Sequence, residues 1–185
     1  MATNWFGGSM SDYVDVLSNI AASMGPVQKL LSGAAYLIGL AFAFKAIYAL
    51  KLTAESGKMG MGGGGSGGLK EPIVYLVVAV MLIYLPTGFD VLMNSTFGTN
   101  NIVSYQAADD IFGLSGAAGS SLTLIIRTIG LISFVRGWVL IAKSASHGQP
   151  PGGTGKGLIH VFGGILAMNI VGTMQIVNNT LYGSS

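Results

Sequence analysis

Residues 30–50 read LLSGAAYLIGLAFAFKAIYAL, twenty-one positions carrying one charge, Lys45. At about 1.5 Å of rise per residue, a helix of that length covers the roughly 30 Å hydrocarbon core of a bilayer. Its apolar residues lie all round the circumference, whereas a helix on a soluble bundle keeps one polar face. The stretch therefore predicts a membrane-spanning helix. Three others resemble it. Residues 73–85, IVYLVVAVMLIYL, are thirteen apolar positions inside the eighteen that separate Glu71 from Asp90. Residues 122–142 carry no charge except Arg127 and Arg136, and residues 158–177 are strongly polar only at His160, Asn169 and Gln175. The second is the shortest, and a buried helix or re-entrant segment is its alternative.

Composition agrees with these four spans. Of the 185 residues 51% are hydrophobic and 9% charged, with a mean hydropathy of +0.64. Soluble domains carry about 25% charged residues, so this chain cannot cover a water-facing surface. A formal net charge of +2 spread along it is no polyanion-binding patch, and nucleic acid is not expected as a direct partner. The absence of cysteine removes disulfides, thiolate metal sites and cysteine nucleophiles. His147 and His160 are too few for a zinc site. The first 25 residues lack Lys, Arg and a compact apolar core before a small-residue cleavage site, so insertion through the mature helices is expected.

The connections separate into two kinds. Residues 56–70, SGKMGMGGGGSGGLK, and 144–157, SASHGQPPGGTGKG, are Gly-rich and predict flexible or turn-like links rather than helix. Residues 86–121 hold Asp90, Asp109 and Asp110 but no Lys or Arg. Near the start, residues 11–24 place Tyr13, Leu17, Ile20 and Met24 at helical spacing. Ser11 is the candidate N-cap, and Asp12 and Asp15 oppose the helix dipole. This predicts a short amphipathic helix on the membrane surface, or one packed on the bundle's own loops. The expected organisation is thus an all-α membrane protein with four transmembrane helices as two tandem hairpins plus that N-terminal helix. Its segments are 1–26, the first hairpin 27–98, an external loop 99–120, and the second hairpin 121–185.

Orientation follows from cations near the span ends. Lys51, Lys58, Lys70, Lys143 and Lys156 flank the two Gly-rich loops, against Lys29 alone on the other side. Both Gly-rich loops are therefore expected in the cytoplasm and both termini outside. Lys45 and Arg136 precede the cytoplasmic ends of their spans and can snorkel, and Arg127 is the third charge inside a span. The five loop lysines would also face an anionic leaflet, where each contributes about 1 kcal/mol toward phospholipid headgroups. Setting topology during insertion is the alternative role for each.

An internal repeat points the same way. Ile38-Gly39-Leu40 followed by Lys45 in the first span matches Ile129-Gly130-Leu131 followed by Arg136 in the third, and Asn94-Ser95-Thr96-Phe97 matches Asn178-Asn179-Thr180-Leu181. Small residues recur at packing spacing: Ala35, Gly39 and Ala43 in the first span, and Gly163 with Ala167, or Gly164 with Gly172, in the fourth. Such stripes let helix backbones approach, within one chain or between chains.

No catalytic constellation emerges. Residues 152–157, GGTGKG, lack the Gly, the Ser or Thr and the preceding strand of a phosphate-binding loop, since Pro150 and Gly157 occupy the decisive positions. The run 60–68 lacks the strand and ribose-binding acid of a dinucleotide fingerprint. Asn94-Ser95-Thr96 and Asn178-Asn179-Thr180 match a glycosylation acceptor, a very common pattern. No carboxylate falls inside a span, which weighs against ion-coupled transport.

Residues 135–143, VRGWVLIAK, followed by 152–160, GGTGKGLIH, and Gly163-Gly164 resemble the IcmC/DotE family of type IVB (Dot/Icm) secretion systems and related conjugation systems. The likeness is strongest over residues 127–175. It implies a bacterial inner-membrane subunit, partnered by copies of itself and by paralogous membrane subunits, in a machine that moves effectors or DNA. The family's motifs transfer no active site. In shape the chain also resembles two conjugative pilin hairpins joined, which implies an extracellular pilus as the alternative location. A small transporter or channel is the second alternative.

Overall fold

The computed structural model describes residues 10–55, 68–85, 95, 117–146 and 153–183, and every regular element among them is helical. The helices are α1 (Met10–Glu55), α2 (Lys70–Ile83), α3 (Ala117–Ala145), α4 (Gly153–Met168) and α5 (Ile170–Tyr182). Residues 1–9, 56–67, 86–94, 96–116, 147–152 and 184–185, with Lys58, Asp90, Asp109, Asp110 and His147 among them, lie outside the described residues.

α1 departs from expectation in its length. Residues 11–24 are helical as the spacing predicts, but they continue into the first span without a break. One 46-residue helix runs through Pro26, and both Ser11 and the expected boundary at 26–27 fall inside it. A proline removes only one i→i−4 bond and strains one turn. Flanking that turn, Ala21 is buried and Gln28 Nε2 donates to Thr128 Oγ1 of α3 at 2.9 Å, so tertiary contact holds the helix on both sides.

α4 and α5 correct the expected fourth span. Residues 158–177 form no single rod: the two helices meet at 90° around Asn169. Asn169 leaves helical geometry (φ −110°, ψ 54°) and its side-chain oxygen accepts from the Gly172 backbone N–H at 3.2 Å, capping α5. Gly172 makes room for this, since a Cβ there would stand 2.6 Å from the Asn169 amide. A second correction lies at the other end of α4. Residues 153–157, expected as part of a flexible link, are its first turn. Gly157 is pinned there against Gly137 and Ile141, and Thr154 donates to Ser144 Oγ at 2.7 Å. Packing overrides the weak helix propensity of glycine.

The helices pair as two antiparallel hairpins. In the first, Gly39 of α1 lies against Leu82 and Ile83 of α2, while Phe42 stacks on Tyr75 with centroids 5.9 Å apart. In the second, Gly130 meets Gly164 and Met168, and Gly137 meets Gly157 and Val161. α1 and α3 run parallel, because Gln28 bonds Thr128 near one end while Tyr75, the neighbour of Phe42, bonds Ser146 near the other. The core comprises Ala35, Ala46, Tyr75, Val78, Leu82, Leu85, Phe134, Ala142, Val161, Ile165 and Met168.

The outer surface carries many large apolar side chains. Leu30, Phe44 and Ile159 are each more than 70% exposed. α1 and α3 are long and apolar enough to cross a membrane, and α4 with α5 makes a third if the bent pair is one span. α2, at 14 residues, reaches about 21 Å. The chain is therefore an all-helical protein with two or three candidate membrane spans.

Candidate functional site

α3 and α4 approach each other closely along a glycine seam. Gly130 and Gly137 on α3, and Gly157 and Gly164 on α4, are each seven residues apart, two helical turns. Antiparallel pairing sets Gly130 against Gly164 and Gly137 against Gly157. A Cβ at any of the four would stand 2.6–2.9 Å from atoms of the other helix, several of them backbone carbonyl oxygens or nitrogens. Glycine alone permits that distance. Ser133 Oγ crosses the seam to donate to the His160 carbonyl at 3.2 Å, and Phe134 packs edge-on to Trp138 with centroids 6.1 Å apart.

A polar clamp closes the end of the bundle from which the two Gly-rich loops depart. Tyr75 is 1% exposed, and its phenol donates to Glu71 Oε1 at 2.8 Å. With that single proton committed, the phenolic oxygen accepts from Ser146 Oγ at 2.6 Å, tying α2 to the end of α3. Lys45 Nζ lies 4.6 Å above the Tyr75 ring centroid, a cation–π contact of about 0.5–1 kcal/mol. One buried tyrosine thus joins the first hairpin to the second.

The antiparallel and parallel pairings bring Lys51, Lys70, Lys143 and Lys156 to this same end. All four are exposed, and Lys51 forms an ion pair with Glu55 at 3.7 Å. Lys58 lies outside the described residues. The Lys156 carbonyl accepts from His160 Nδ1 at 2.8 Å, which makes His160 a helix-bound side chain near the surface. The structure thus places four of the five lysines at the same end of the bundle as the clamp.

The small residues singled out by spacing divide into two groups. Ala35, Gly39 and Gly164 are buried against other helices of the same chain. Ala43 and Ala167 are half-buried, and Gly163 faces open space, where an added Cβ would meet nothing within 4 Å. Of the charges inside spans, Lys45 and Arg136 are exposed and Arg127 is half-buried. Spacing did not single out Gly130, Gly137 and Gly157 as packing positions, nor Tyr75 and Ser146 as a clamp. The equal seven-residue intervals at 130/137 and 157/164 were a visible signal for the seam. Nothing local marks Tyr75 among the other apolar residues of its run.

Among the described residues, no three His, Asp or Glu side chains converge as a metal site would require. Comparison of the chain with family models, with curated proteins and with solved structures finds no match.

Proposed function

We propose that the chain is a structural integral-membrane subunit of a bacterial type IVB secretion or conjugation apparatus, acting through helix packing rather than catalysis. The observation that carries this reading is the contrast between two tightly closed hairpins and their apolar outer flanks. Internal contacts use the glycines and alanines, while large side chains such as Leu37, Phe44, Ile47, Ile129 and Ile159 are left outside. Such a body suits lipid and neighbouring helices. The resemblance of residues 127–175 to the IcmC/DotE family names the machine. In this reading α1, α3 and α4 cross the inner membrane, and α2 is the fourth and shortest span. Both termini lie in the periplasm, and the partners are further copies and paralogous subunits.

Two measurements test it. Deleting the chain in its bacterium should abolish effector or DNA transfer, with restoration by a plasmid copy. Undiminished transfer would refute the role. For orientation, Ser66→Cys should resist a membrane-impermeant thiol reagent in intact cells while Thr99→Cys and Ser184→Cys react; labelling at 66 without lysis would reverse the topology.

The placement of Lys51, Lys70, Lys143 and Lys156 at one end favours a second reading, a pilin-like subunit whose basic loops hold anionic phospholipid. In a filament those loops would converge from many protomers, and lipid phosphate would offset the accumulated charge. Negative-stain images of the native assembly separate the two readings: filaments favour the pilus, discrete rings or particles the envelope subunit.

A further inference from the structure

We propose that α5 is an in-plane membrane-interface helix, its apolar side set into the acyl boundary of the non-cytoplasmic leaflet and its amide side facing water. The proposal rests on the membrane reading above and adds the placement of a segment that the sequence assigns to a span.

Three helices mark the plane. Gln28 bonds Thr128, so Lys29 on α1 and Arg127 on α3, each one residue away, lie at one level. A Cβ on Gly130 would meet Met168 N at 2.8 Å, so the end of α4 and Asn169 come within about one helical turn of Arg127. Lys29 precedes the apolar stretch of α1, Asn169 ends α4, and Arg127 is the charge that α3 carries at this same level, about one turn inside the start of its apolar stretch. From this level to Lys45 on α1, and to Lys143 on α3, is sixteen residues, about 24 Å. That approaches the thickness of a hydrocarbon core when the basic side chains extend outward. The chain turns through 90° at this plane. α5 therefore runs along the boundary rather than across it.

The rotation of α5 about its own axis fits. Thr173 Oγ1 lies 2.9 Å from both the Leu166 and Asn169 carbonyl oxygens, which identifies the side of α5 turned back toward α4 and the bilayer interior. Positions 173, 176, 177 and 180 share that side, following the i, i+3, i+4, i+7 rule. They are Thr173, Ile176, Val177 and Thr180, and Thr180 Oγ1 donates to the Ile176 carbonyl at 2.7 Å, so both hydroxyls are satisfied within the helices. Ile176 and Val177 are nonetheless 49% and 45% exposed, so the chain itself leaves them uncovered. The opposite side carries Gln175, Asn178 and Tyr182. α5 has no charged residue and no buried one. An uncharged helix that turns its aliphatic side inward and its amides outward at the level where the spans end matches an interfacial helix, with lipid as the occupant.

The chain lacks cysteine, so single nitroxide labels can be placed one at a time along positions 174–181 of the full chain in phospholipid vesicles. Collision rates with oxygen, which concentrates in acyl chains, and with a water-soluble nickel complex then report depth. The expected result is an oscillation with the helical period: oxygen access at 176 and 177 several-fold above that at 175 and 178, and the reverse for nickel. A steady gradient from 174 to 181 would mean α5 continues across the bilayer, and would overturn the proposal. So would uniform nickel access, meaning a helix in water, or exclusion of both reagents at 176 and 177, meaning a protein partner. Labels at Leu37 and Phe162, exposed on α1 and α4, provide the separation. If these also show water-like nickel access, the membrane reading itself fails, whereas lipid access there with any of the three adverse patterns in α5 sinks only the interface helix.

Discussion

Gly163 and Gly164 are adjacent on α4, and the seam predicts opposite responses to the same substitution. Replacing a helical glycine by alanine recovers about 1 kcal/mol of helix propensity. At 163 nothing lies within 4 Å of the new methyl, so Gly163→Ala should leave stability unchanged or raise it by up to that amount. At 164 the methyl would stand 2.8 Å from the Gly130 carbonyl oxygen and the Phe134 nitrogen, and 2.9 Å from Phe134 Cβ. Two of these atoms are backbone, so no rotamer change relieves the clash. Restoring ordinary contact near 3.4 Å requires α3 and α4 to part by roughly 0.6 Å, which also thins dispersion contact at the other three glycines. Overpacking of this kind costs about 1–3 kcal/mol. After the propensity gain, Gly164→Ala should be less stable than Gly163→Ala by about 1–3 kcal/mol. The two variants have identical composition and partition into detergent alike, so the difference isolates packing. Loss of helicity against the mole fraction of dodecyl sulfate in mixed micelles measures it. Equal midpoints for the two variants would refute the seam. A shift in assembly size with unchanged midpoints would move Gly164 to a contact between chains.

The clamp predicts coupling: Tyr75→Phe and Ser146→Ala should each destabilise by about 1 kcal/mol, and the double variant by less than their sum. Strict additivity in the same titration would show that the two hydroxyls do not interact. Spin labels at 158 and 181 should lie about 25 Å apart across the right-angled α4–α5 joint, against about 35 Å for a straight helix. Asn169→Leu removes the α5 cap, about 1 kcal/mol, and should move population toward the longer distance; a distance near 35 Å in the unsubstituted chain would exclude the bend. Replacing Lys58, Lys70 and Lys156 by Gln should lower the anionic phospholipid that copurifies with the assembly without reversing its orientation. Mass spectrometry of extracted lipid showing equal amounts before and after would remove the lysines from lipid binding.

Much of the architecture was legible in the chain itself because long apolar helices are specified locally. In a bilayer, a single run of about twenty apolar residues satisfies its backbone as a helix, wherever the rest of the chain goes. Residues 30–50 and 122–142 therefore appear inside α1 and α3. The repeat at Gly39 and Gly130 also has a structural counterpart, as each glycine receives the second helix of its hairpin. Spatially, however, the hairpins are not level. Ile83, which meets Gly39, lies eight residues along α2 from Tyr75, and Tyr75 bonds Ser146, so Gly39 comes opposite residues near 138 of α3. The second hairpin is thus displaced along the axis by about 12 Å relative to the sequence match.

The sequence by itself determined the helical, apolar class of the protein and the positions of its apolar helices, since each depends on the residues of a single segment, whereas the gathering of Lys51, Lys70, Lys143 and Lys156 at one end needed the pairing of four helices. Only the tertiary structure decided which side of each helix faces inward. A helix that is apolar all round has no polar face to announce its outside, so Gly163 and Gly164 read alike until α3 is placed against one of them. The continuity of α1 through Pro26, the helical start of α4 in a Gly-rich stretch and the break at Asn169 share that origin. Each is settled by contacts between positions far apart in the chain, Gln28 with Thr128 and Gly157 with Gly137, or by a side chain that turns back to cap the next helix.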